Sequence, residues 1–78
     1  MDKELVLKLV LNRHFNVGPA IVTPESRFED LGLDAAAEIE LQMLLEKQFF
    51  IVFTPYESDH MDTIQDAIDA ITNKEDRS

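Results

Sequence analysis

The stretch Phe28-Glu29-Asp30-Leu31-Gly32-Leu33-Asp34-Ala35-Ala36-Ala37-Glu38-Ile39-Glu40-Leu41 decides the fold. It reads as an ordered loop that turns at Gly32 and passes into a helix capped by Asp34. Aspartate is a preferred N-cap because its carboxylate accepts the unpaired amide hydrogens of the first turn. Glu38 adds negative charge near the positive end of the helix dipole. Beyond it, Leu41, Leu45 and Phe49 recur at i, i+4 and i+8, with Ile39 and Gln42 beside them. That period marks a helix with one buried face. Its other face carries Glu40, Met43, Glu46 and Lys47.

Working outward, Asp2 opens a first helix over residues 2–14, rich in Leu5, Val6, Leu7, Leu9, Val10 and Leu11. At 100° per residue these cover more of the circumference than the stripe of a surface helix usually does. Packing of both flanks inside a bundle accounts for them. Alternatively Leu7 and Leu11, one turn apart, form a small exposed patch for a partner or for weak association of an otherwise monomeric chain. Residues 15–33 form a long connection whose Val17, Ile21, Val22, Phe28, Leu31 and Leu33 predict that it lies down over the core. Thr23-Pro24-Glu25 suits a short helical turn.

The second helix spans about Ala35 to Phe50. Thr54-Pro55-Tyr56-Glu57 is a capping-box arrangement that opens a short third helix, ending near His60 or Met61. Thr63-Ile64-Gln65-Asp66 is a second cap of that kind, opening a helix with Ile64, Ala67, Ile68 and Ile71 on one face. Asn73 suits its end, leaving residues 73–78 as a frayed tail. The expected fold is all-α: one domain over residues 1–78, a small four-helix bundle with a long first loop and a short third helix.

Composition narrows the function. The net charge of −9 argues against nucleic acid and anionic membrane surfaces as partners. No apolar run approaches the ~20 residues of a membrane span. The absence of cysteine suits a reducing cytoplasm and removes disulfides and thiolate metal sites. Acid gathers in two places. Residues 29–48 hold Glu29, Asp30, Asp34, Glu38, Glu40 and Glu46 against Lys47 alone, and residues 57–69 hold Glu57, Asp59, Asp62, Asp66 and Asp69 against no cation. Such a surface either keeps the protein soluble or steers basic partners toward it.

Catalysis fails on inventory. Nucleophilic chemistry needs a positioned base beside its nucleophile. Ser58 and His60 are two residues apart, which on a helix points them in different directions. There is no glycine-rich phosphate loop, and Asp59-His60-Met61-Asp62 lacks the alternating ligands of a calcium loop. No metal site is expected, beyond loose divalent binding by the acidic surface.

Asp30-Leu31-Gly32-Leu33-Asp34 resembles the acyl carrier protein family, whose mark is Asp/Glu-Leu-Gly-x-Asp-Ser-Leu leading into an acidic helix. The resemblance extends over roughly residues 21–71, through Ile21-Val22-Thr23-Pro24-Glu25-Ser26-x-Phe28, Glu40-Leu41, Leu45-Glu46, Phe49 and Thr63-Ile64-Gln65-Asp66-Ala67-Ile68. In that family the next position is the serine whose oxygen carries 4′-phosphopantetheine. Here it is Ala35, and Ala36 stands in place of the leucine that follows. The resemblance therefore implies a carrier-like, non-catalytic module of fatty-acid, polyketide or related lipid synthesis that holds no phosphopantetheine.

Its partners would be the basic surfaces of carrier-dependent synthases or transferases, met by Asp34, Ala36, Ile39, Glu40, Met43 and Glu46. Two other readings stay open. One is an ordinary carrier protein with an engineered serine-to-alanine change. The other is an interaction or regulatory module that has left lipid metabolism.

Overall fold

The helices begin where the sequence supplies oxygen acceptors for their first amides. In the computed structural model, which describes residues 2–76, Asp2 caps α1 (Lys3–Phe15) and Asp34 caps α2 (Ala35–Phe49). Thr54 caps α3 (Pro55–Asp59). There the Glu57 amide donates to Thr54 Oγ1 at 3.2 Å and the Thr54 amide to Glu57 Oε1 at 2.8 Å, completing the capping box. Thr63 and Asp66 exchange the same pair of bonds ahead of α4 (Ile64–Asp76), with aspartate in the role of glutamate. Two 3₁₀ turns, Pro19–Ile21 and Glu29–Leu31, punctuate the long connection between α1 and α2.

That connection is tied to the start of α4 by backbone hydrogen bonds. The Phe28 amide donates to the Asp62 carbonyl at 3.0 Å, Ile64 to Ser26 at 3.0 Å, and Gln65 to Pro24 at 2.9 Å. An isolated antiparallel bridge pairs Arg27 with Thr63. These bonds satisfy backbone groups that a loop lying over a core would otherwise leave unpaired. Val17, Val22, Phe28 and Leu33 are thereby held inward as part of the core. Pro24-Glu25 makes a turn closed by the Ser26 amide on the Thr23 carbonyl, so the short helical pieces fall on either side of Thr23-Pro24-Glu25.

Leu41 and Leu45 of α2 meet Leu7 and Leu11 of α1 and Ile64, Ala67 and Ile71 of α4 in one cluster, closed by Phe53 and Met61. Among the described residues no buried side-chain polar atom lacks a hydrogen-bond partner. The all-α expectation, with a long first loop and a short third helix, is what the chain adopts.

Two expectations are corrected. Leu7 and Leu11 are fully buried, so they form no exposed patch and no association surface. The exposed leucines of α1 are Leu5 and Leu9, which alternate with the buried pair. The second correction concerns α4, which does not stop at Asn73 but continues to Asp76. Lys74 pairs with Glu57 at 2.8 Å and Glu75 with Lys3 at 2.9 Å. These contacts dock the last turn against α3 and α1, so residues 73–76 are helix rather than tail. Residues 77 and 78 of the expected tail lie outside the described residues.

Among the described residues three positions take left-handed backbone, and each ends a helical element: Asn16 (φ 58°), Gly32 (φ 92°) and Phe50 (φ 56°). Glycine and asparagine are the residues that tolerate this conformation. At Gly32 a Cβ would meet nothing within 4 Å, so the requirement there is the dihedral angle alone. Phenylalanine at position 50 has no such excuse.

Candidate functional site

The start of α2 is built by its cap. Asp34 sits in extended backbone (φ −84°), its Oδ1 accepting the Ala37 amide at 2.8 Å and its carbonyl accepting the Glu38 amide at 2.9 Å. Gly32 makes the preceding left-handed turn, and Leu33 is buried as an anchor just before the cap. Ala35 and Ala36 therefore occupy the first turn of the helix with their methyl groups exposed.

No hydroxyl stands in that turn. Ser26 is engaged within its own loop, accepting the Thr23 amide at 2.9 Å. The Ser58 hydroxyl donates to Gln42 Oε1 at 2.6 Å, joining α3 to α2. The residues present do not fit a phosphopantetheine ester.

Acid surrounds the same helix start. Burial raises the Glu38 carboxyl above its ordinary range, and the nearby charges of Asp62, Glu29 and Asp34 push it in the same direction. The sequence shows Glu38 as a helper of the helix dipole. It gives no sign that the α3–α4 connection would bring Asp62 close, because that approach is set by tertiary packing. Glu57 behaves oppositely. Burial would raise its carboxyl, but the Lys74 ammonium and the Thr54 donors outweigh burial and hold it below the ordinary range.

Further along α2, Ile39 and Met43 lie one turn apart and are 59% and 53% exposed, so neither completes the core. Glu40 is exposed between them. Glu46 is only half exposed, and its Oε2 accepts the Phe53 amide at 2.8 Å. Its carboxylate is turned toward the α2–α3 connection instead of standing free on the helix face. Of the residues expected to meet a partner, Asp34, Ala36, Ile39, Glu40 and Met43 are exposed along α2 and its cap, while Glu46 has a structural hydrogen bond.

Ser58 and His60 form no catalytic pair. While Ser58 turns to Gln42, His60 stacks on Tyr56 with ring centroids 4.1 Å apart, its Nδ1 lying 2.8 Å from the Tyr56 carbonyl oxygen. Among the described residues no group of three or more His, Asp or Glu is placed to hold a metal ion. No helix of the described residues is long and apolar enough to cross a membrane.

Comparison with known proteins gives this arrangement its setting. The chain is 36% identical over 69 residues to the acyl carrier protein of Thermosynechococcus vestitus, a match covering 87% of this chain and 85% of that protein. It belongs to the acyl carrier protein family. The crystal structure of an acyl carrier protein from Thermotoga maritima superposes with a TM-score of 0.86, covering 97% of this chain and 94% of the other at 20% identity. That second likeness establishes the fold. No family model matches the chain. In this chain Asp34 heads α2, and Ala35 follows it in the first turn.

Proposed function

We propose that this protein is a non-catalytic acyl-carrier-like module of fatty-acid or polyketide-type lipid synthesis that carries no phosphopantetheine and acts in the cytoplasm by binding partner enzymes. The observation that supports it is the exposed α2 face of Ile39, Glu40 and Met43, lying on the same helix as Ala35. Ala35 offers only a methyl group, so it has no atom from which a phosphate ester could be made. The neighbouring surface keeps Ile39 and Met43 exposed around Glu40, with further acid at the helix start. Methionine suits such a surface, because its flexible thioether adapts to pockets of different shape. The acid would speed the approach of basic partner surfaces and weaken with salt.

The test uses a carrier-dependent condensing synthase with a basic docking surface as the probe. Titration calorimetry is expected to show binding that declines with salt. Glu40→Lys and Met43→Lys should each weaken it at least tenfold, with unchanged circular dichroism. Unaltered affinity in both variants would remove the α2 face from the account. Binding only to proteins unrelated to lipid synthesis would favour the interaction-module reading instead.

A further inference from the structure

Val6, Leu9 and Val10 share one side of α1, and Arg13 and His14 follow them a turn later on that side. With Gln48 of α2 they line a single groove. At ~1.5 Å per residue the axial distance from Val6 to Arg13 is about 10 Å. The groove is therefore apolar toward one end and cationic toward the other, and no carboxylate lines it. Leu9 is 60% exposed, so the apolar wall faces water.

Arg13 gives the groove its chemical preference. Lys3, Lys8, Arg27 and Lys74 each pair with a carboxylate, but Arg13 has no ion-pair partner among the described residues. This holds in a chain where 16 Asp and Glu outnumber 7 Lys and Arg. Glu4, the acid of α1, is held by Lys8 at 3.2 Å. A guanidinium presents a planar fork of donors that matches the two oxygens of a carboxylate. Gln48, from the α2 side, adds an amide donor. The chain's net charge of −9 opposes any anion at long range. At physiological salt, with a Debye length of about 8 Å, that opposition is screened more strongly than direct contact with Arg13.

Volume sets the size of the occupant. The groove holds about 210 Å³. An apolar cavity of ~150 Å³ takes one benzene, so this groove admits about eight non-hydrogen atoms. A protein segment is too large to be accounted for by it, since a stable protein interface covers about 800 Å² on each side. We propose that the α1 groove binds a small amphipathic carboxylate, an unbranched acid of about six carbons. Its tail lies on Val6, Leu9 and Val10, and its carboxylate accepts hydrogen bonds from Arg13 and Gln48. The site stands on α1, apart from the exposed α2 face, so it stands or falls independently of the partner-binding reading.

The probe is hexanoate, followed by amide chemical shifts of the full chain at constant ionic strength to about 50 mM ligand, because a molecule of this size binds at about millimolar strength. Saturable shifts are expected along residues 6–14 and at Gln48. Hexan-1-ol, which has the tail without the charge, should bind at least fivefold more weakly, and Arg13→Gln should weaken hexanoate by a similar factor. Leu9→Asp, which sets a carboxylate against the tail, should weaken it at least tenfold. Both substituted residues are exposed, so circular dichroism should be unchanged in each variant. Shifts that do not saturate, or that centre away from α1, overturn the proposal. So does equal binding of hexan-1-ol, or undiminished binding of hexanoate by Arg13→Gln.

Discussion

Ala35→Ser with Ala36→Leu is expected to turn the protein into a substrate for a broad-specificity phosphopantetheinyl transferase, whereas Ala35→Ser alone is modified ten- to hundredfold more slowly. The cap that presents the acceptor is already in place, since Asp34 Oδ1 holds the Ala37 amide at 2.8 Å and position 35 is exposed in the first turn. A serine there regains the attacking oxygen. Position 36 is exposed too, and the family resemblance implies that its leucine is gripped by the modifying enzyme. Burying a leucine side chain is worth roughly 1.5–3 kcal/mol, and each ~1.4 kcal/mol is a decade in rate. Initial rates of mass gain under identical conditions measure the ratio. Equal rates for the two variants would show that Ala36 is no handicap, and that one lost serine separates this chain from a working carrier. No modification of either would mean that the capped turn no longer presents an acceptor.

Leu11→Ala is expected to lose about 2–5 kcal/mol of stability, and Leu9→Ala less than about 0.5 kcal/mol. Leu11 is fully buried against α2 and α4, so its truncation removes transfer energy and leaves a cavity. Leu9 is 60% exposed and loses little. For a domain of this size about 1 kcal/mol moves the melting temperature by roughly 4–8 °C. Total stability for 78 residues is itself only about 4–12 kcal/mol, so the Leu11 variant approaches the edge of folding. Thermal unfolding at micromolar concentration measures both. Comparable losses in the two variants would place the buried face of α1 elsewhere.

That contrast also shows where the sequence stops being legible. The caps at Asp2, Asp34, Thr54 and Thr63 are local chemistry, readable from residues three apart, and each opens its helix at the expected place. The buried face of α2 is similarly clear, because Leu41 and Leu45 recur one turn apart, and both are buried. In α1 the apolar residues run nearly around the circumference. Only the position of the neighbouring helices decides that Leu7 and Leu11 go inward and Leu5 and Leu9 outward.

The end of α4 was hidden for a related reason. Asn73 is a reasonable stop locally, but Lys74 and Glu75 find partners in α3 and α1 that are remote in sequence. Within the candidate site, the bare methyl group at Ala35 is legible directly. Glu46 was not, because its helix position looks outward while the chain beyond Phe50 doubles back to present the Phe53 amide. The gathering of Glu29, Asp34 and Asp62 around Glu38 depends on the loop being tied to α4, a tertiary fact without a local signature.

The central claim is that this family member holds no carrier arm. The most direct test is the intact mass of the unaltered protein, as purified and after incubation with a broad-specificity phosphopantetheinyl transferase and coenzyme A. The mass is expected to equal that of the bare chain in both samples. A stoichiometric phosphopantetheinyl increment, mapped to any residue, would contradict the account.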